Sequence, residues 1–137
     1  MNNIVSKKEI EAAISLAMAR FIEEQMGECP RKVETSVMKD VIIVRVKTIL
    51  IPAERYMVRY QKGSETIREL KIKLMERAKP LLDVMIKNLT SADIIDIHSD
   101  VCVETGERVE IFTLNKDIEK EIGSAKKRNK KGKGNNA

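Results

Sequence analysis

Apolar residues recur along this chain with two periods, one near 3.6 and one of 2, and each marks an element. Ile10, Ala13, Ile14, Ala17, Met18, Phe21 and Ile22 follow steps of three and four, which is one face of an α-helix. Ser6-Lys7-Lys8-Glu9 has the form of a capping box ahead of it. Gly27 offers a left-handed cap and Pro30 forbids continuation, so the pattern predicts a helix from Lys7 to about Met26. From Lys32 to Leu50 the period changes to two. A loop at Lys39-Asp40 places Val37 opposite Ile42, Thr35 opposite Val44, Val33 opposite Val46 and Glu34 opposite Arg45. That register gives one apolar face and one attractive charge pair, and a slip of one residue loses both. Val41 to Val44 is apolar on both faces, as a central strand requires.

Pro52 suits the first position of a short helix, expected to reach about Gln61 and to end at Gly63. A longer helix follows from about Ser64 to Asn88. Its stripe runs through Ile67, Leu70, Leu74, Ala78, Leu81, Met85 and Leu89, widened by Met75, Leu82 and Ile86. Pro80 falls inside it and predicts a kink or split. Ile94 to Leu114 reads as a second hairpin. A three-residue loop, Glu104-Thr105-Gly106, sets Val101 opposite Val109, Ser99 opposite Ile111 and Ile97 opposite Thr113. The other face then carries Asp96, His98, Asp100 and Cys102 beside Arg108, Glu110, Phe112 and Leu114. This register also opposes Asp100 to Glu110, a destabilising like-charge pair. Lys116 to Ile122 adds a short helix. The expected fold is α+β: helix, hairpin, short helix, long Pro-interrupted helix, hairpin, with a four-stranded sheet packed on helices.

Composition refines this picture. The chain has 137 residues, with two Phe, two Tyr, no Trp and seven Met, enough for one domain with an aliphatic core. No apolar run approaches the roughly 20 residues that span a bilayer, and the N-terminus lacks the apolar stretch of a signal peptide. With only Cys29 and Cys102 there is no disulfide framework, and a cytoplasmic location is expected. The net charge of +5 belongs to one segment. Lys126, Lys127, Arg128, Lys130, Lys131 and Lys133 lie there, and the 20 basic residues outside it meet 21 acidic ones. The expected organisation is therefore one domain over 1–123 and a disordered lysine-rich tail over 124–137.

His98, Asp100 and Cys102 alternate on one strand face, which invites a metal or nucleophile reading. Strand geometry opposes it. Neighbouring members lie about 6.8 Å apart and the outer pair about 13 Å, too far to share one zinc at bonds of about 2 Å. Nor can a Cys–His pair on one strand at that spacing share a hydrogen bond. No catalytic residue, metal site or cofactor is expected. His98, Ser99, Asp100, Arg108 and Glu110 are the candidate functional or interface surface, and the tail's basic residues could meet phosphates.

Several stretches together resemble a known family. They are Gly27-Glu-Cys-Pro-Arg-Lys-Val33, Asp40-Val-Ile-Ile-Val-Arg-Val46, Leu50-Ile-Pro-Ala-Glu54, Ile97-His-Ser-Asp-Val101 and Thr105-Gly-Glu-Arg-Val-Glu-Ile-Phe-Thr-Leu114. They look like the small bacterial MpsC-like proteins, over about residues 5–118. The most specific pieces are Pro52-Ala53-Glu54, His98-Ser99-Asp100 and Thr105-Gly106-Glu107-Arg108. Ile51 stands where the family commonly has Thr, and the lysine-rich tail is outside the family pattern. The resemblance implies a soluble, non-catalytic accessory protein of a membrane-potential-generating system that translocates sodium or inorganic carbon. The resemblance implies a membrane transport complex as partner, and the free semi-polar face of the second hairpin makes a homodimer through it or through the sheet edge the other expected partner. Two other readings stay open: a nucleic-acid-associated protein acting through its tail, and an enzyme using His98 with Asp100.

Overall fold

The computed structural model describes residues 6–123; the tail predicted over 124–137 lies outside them. The elements are α1 (Lys7–Met26), β1 (Pro30–Met38), β2 (Val41–Thr48), α2 (Pro52–Met57), α3 (Gly63–Arg77), α4 (Lys79–Thr90), β3 (Ile94–Cys102) and β4 (Glu107–Leu114), with a closing helical turn at 118–123. The fold is α+β. Its antiparallel sheet has the order β1-β2-β4-β3, so β2 is central as its two apolar faces require.

Local chemistry explains most boundaries. Ser6 Oγ accepts from the Glu9 N–H at 3.1 Å, and Gly27 closes α1 at φ 66°. The first hairpin has the expected register, Val37↔Ile42, Thr35↔Val44, Val33↔Val46 and Glu34↔Arg45. On the exposed edge of β1, the Val37 N–H donates to Glu11 Oε2 of α1 at 2.7 Å. The long helix splits at Ala78, with Pro80 in the first turn of α4, where its missing N–H breaks no bond.

Two helix details differ from the sequence expectation. Gly63 opens α3 instead of closing α2, which stops at Met57. The corner folds so tightly that a Cβ at residue 63 would overlap the carbonyl oxygen of Met57. The core stripe of α3 and α4 also lies one position over: Ile67, Lys71, Met75, Ala78, Leu82 and Ile86 are buried, while Leu70, Leu74 and Leu81 are exposed.

The second hairpin differs more. Val101 opposes Arg108, Ser99 opposes Glu110, Asp100 opposes Val109 and Ile97 opposes Phe112, a slip of one residue from the predicted pairing. Val103 causes it. Instead of pairing, it turns inward and is buried with Ile67 and Val101 in a small second cluster, which lengthens the loop to four residues. Gly106 (φ 74°) ends that loop against the end of β2, where Thr48 N–H donates to its carbonyl at 2.8 Å. A Cβ there would overlap the Thr48 carbonyl oxygen.

Period-2 alternation carries the slip through the whole hairpin. Arg108, Glu110, Phe112 and Leu114 belong to the helix-covered face, with Val46, Val44 and Ile42 beside the first three. The main core gathers there from α1, α4 and the sheet. The predicted Asp100–Glu110 opposition does not occur.

Candidate functional site

The slipped register separates the residues expected to form one surface. His98, Asp96 and Asp100 stay on the open face and edge of β3. His98 is 67 % exposed and its Nε2 pairs with Asp96 Oδ2 at 2.9 Å. Asp100 reaches past the edge to Arg68 of α3, whose Nη2 lies 2.6 Å from Oδ1. The same oxygen accepts from the Val101 N–H at 3.0 Å. The Arg68 hydrogen bond and that backbone donor hold the Asp100 carboxyl below its ordinary range. Ser99, Arg108 and Glu110 point the other way, into the protein. Among the described residues no group of three or more His, Cys, Asp or Glu is arranged to hold a metal ion.

Under the helices, Arg108 and Glu110 meet three residues that periodicity did not mark: Glu28, Glu54 and Lys71. Each is held by its element. Glu28 follows the Gly27 cap, and its N–H donates back to the Ile22 carbonyl at 3.3 Å. Glu54 sits in the first turn of α2, where Oε1 accepts the Ile51 N–H at 3.0 Å. That bond covers one of the free donors of the helix start. Lys71 occupies the inward stripe of α3 between Ile67 and Met75.

Lys71 Nζ hydrogen-bonds Glu28 Oε1 and lies 3.0 Å from Glu54 Oε2. Arg108 spans the other two carboxyl groups, with Nη2 3.3 Å from Glu28 Oε2 and Nη1 3.5 Å from Glu110 Oε2. These last contacts are ion pairs without hydrogen-bond geometry, so Glu28 Oε2, Glu110 Oε2 and both Nη atoms of Arg108 are buried with no hydrogen-bond partner. The Ser99 hydroxyl donates to Glu110 Oε1. Three carboxyl groups thus share two buried cations. Burial pushes the Glu110 carboxyl up to about 7, opposed by Ser99 and Arg108 and assisted by the charge of Glu28. With a proton on Glu110 the buried charges balance.

A cleft of about 310 Å³ opens above this network, between the end of α1, α2 and α3. Its walls are largely apolar, with Met26, Ile51, Met57, Ile67, Leu70 and Leu74, while Glu28, Glu54, Lys71 and Arg108 form its floor. The exposed Leu70 and Leu74, which looked like core in the helical pattern, are its rim. An aromatic signal could have located the network from sequence. Phe112, the bulkiest residue of β4, shares a face with Arg108 and Glu110, and large aromatics are rarely left on an open sheet face.

Comparison with known proteins places the chain in a family. It is similar to the uncharacterized protein YbcI of Bacillus subtilis (strain 168), 32 % identical over 117 residues, which cover 85 % of this chain and 94 % of that one. No solved structure matches it. The family pattern described as Na+-translocating membrane potential-generating system (MpsC) matches residues 6–116, from the cap of α1 past the end of β4, and the chain belongs to that family.

Proposed function

We propose that this protein is a non-catalytic, cytoplasmic accessory or regulatory component of a membrane-potential-generating system that translocates sodium or inorganic carbon, and that it acts as a homodimer. The observation that carries the reading is the family match over residues 6–116, which spans all eight elements. Among the described residues, no helix is long and apolar enough to cross a membrane.

The open sheet face is the surface we assign to the second copy. Val41, Ile43, Val109 and Ile111 form a half-buried aliphatic centre on adjacent strands. Asp96 and Asp100 flank it along β3, and Arg45 and Lys47 lie on β2. Opposite charges on either side of an apolar centre allow a two-fold pairing in which each copy supplies both halves. Affinity capture from membranes that contain the intact system tests the association, and recovery of none of its subunits would sink the reading. Light scattering of Ile43→Lys with Ile111→Lys tests the dimer. A wild-type monomer at micromolar concentration removes that part.

A further inference from the structure

The chain's two phenylalanines, Phe21 and Phe112, are buried, but its two tyrosines are not: Tyr56 and Tyr60 are 64 % and 69 % exposed. They stand on α2 and just past its end, and α2 buries none of its residues. The surface beside them is apolar as well. Ile51 and Met57 on one side of the cleft, and Leu70 and Leu74 of α3 on the other, are large hydrophobics left exposed. A more open hollow next to it is lined by Leu70, Lys73, Leu74, Glu76 and Arg77. Apolar exposure gathered in one place marks an interaction surface, whereas single exposed hydrophobics do not.

Cations border this apolar corner. Lys73 and Arg77 flank Leu70 and Leu74, and the Arg59 guanidinium lies 5.5 Å from the centre of the Tyr56 ring. None of the three makes an ion pair among the described residues. Glu76 is the one acid lining the open hollow. At about 100° per residue, Glu65 and Glu69 fall on a different flank of α3 from Leu70 and Leu74. The corner therefore offers free positive charge around exposed hydrocarbon, which is complementary to an anionic amphiphile.

We propose that this corner, α2 with the adjoining side of α3, is the face that the protein lays on an anionic lipid leaflet. Tyr56, Met57, Tyr60, Leu70 and Leu74 enter the boundary between headgroups and chains, with the tyrosine hydroxyls at headgroup depth. Arg59, Lys73 and Arg77 bury their stems beside them and carry their charges out to the lipid phosphates. The geometry favours lipid over a peptide helix. With six residues, α2 is a wall of about 9 Å, shorter than the roughly 11 Å that separates the outer anchors of an i to i+7 helix. Tyr56 and Tyr60 do not line the cleft, so they serve a broad yielding surface better than a groove. Lipid contact goes beyond the association with a protein system proposed above and does not depend on it.

The chain has no tryptophan and no tyrosine besides these two, so tyrosine emission from the full chain reports on this corner alone. The full chain is mixed with vesicles of phosphatidylglycerol and chain-brominated phosphatidylcholine in equal parts, and separately with vesicles of the brominated lipid alone. Bromine on the chains quenches emitters that reach them. Quenching is expected on the anionic vesicles, at least threefold deeper than on the neutral ones. Leu70→Gln with Leu74→Gln should at least halve it at saturating lipid. Lys73→Gln with Arg77→Gln, both at exposed positions, should raise the lipid needed for half-quenching at least threefold. Protein that pellets with anionic vesicles yet keeps its emission is held by the basic residues of 124–137, and that result overturns the proposal. Equal quenching on both vesicles, or undiminished quenching of the leucine variant, does the same. Absence of quenching also overturns it, and if the leucine variant then loses capture of the system's subunits, the corner belongs to a protein partner. The vesicles contain no protein, so failure here leaves the affinity-capture result standing, and the reverse holds too.

Discussion

Ser99 stands directly opposite Glu110 in the β3–β4 register and gives its hydroxyl to Glu110 Oε1. That bond opposes the burial that raises the carboxyl's pKa. Ser99→Ala should cost about 1–3 kcal/mol, the range for stranding a buried polar group. Urea unfolding at neutral pH measures it.

Glu110 also predicts how stability depends on pH. Its folded pKa of about 7 exceeds the ordinary 4.5, so between these values the native state keeps a proton that the unfolded chain has released. Stability from this group is full below pH 4.5 and falls as pH rises to about 7, by about 3 kcal/mol in total. Denaturant curves from pH 4.5 to 8 should show that decline in the wild type and not in Glu110→Gln. Equal slopes in both proteins would refute the assignment.

Lys71 is the cation shared by Glu28 and Glu54. Lys71→Met keeps the volume but leaves two carboxylates without it, an effect of about 3–5 kcal/mol. The triple variant with Glu28→Gln and Glu54→Gln should recover most of that loss. Thermal and chemical unfolding of the pair of variants decides it, because simple loss of packing would not be rescued by the two amides.

At the surface the expectation is the reverse. Arg68 and Asp100 are 48 % and 71 % exposed, so Arg68→Ala should cost less than about 1 kcal/mol. The Asp100 carboxyl should then titrate at higher pH, which carbon-detected NMR would follow. The sign is that of a depressed carboxylate: its small stabilisation holds above the ordinary 3.8 and disappears as pH falls through the folded value. His98→Ala, which breaks the exposed contact with Asp96, should change stability by no more than about 0.5 kcal/mol.

The contrast between the two hairpins shows what local pattern can encode. In the first, Val33, Thr35 and Val37 match Val46, Val44 and Ile42, and Glu34 matches Arg45, so side-chain chemistry alone selects the register. In the second, the same preference for apolar pairs misled, because Val101 truly opposes Arg108. An arginine on the core face is tolerable only when Glu28 and Glu110 sit beside it, and Glu28 lies 80 residues earlier in the chain. Lys71 escaped notice for the same reason. A lysine in a helix reads as outward until Glu28 and Glu54 from other elements enclose it. Turn chemistry was legible at Gly27, Lys39-Asp40 and Pro80, where the cause is the residue itself. It failed at Val103, whose inward turn depends on Ile67 of a distant helix.

The junction of β2 with β4 bears on how the chain acquires this structure. Each hairpin can close on its own neighbours, but Arg45 and Glu107 are 62 residues apart, with α2, α3 and α4 between them. Closing so long a loop is slow, since its entropy is spent before any contact repays it. Glu28, Lys71 and Arg108 come from the end of α1, α3 and β4, so their shared enclosure cannot exist before that junction forms. Forming that junction therefore dehydrates paired ions, and added salt, which stabilises them while they are still hydrated, should slow refolding.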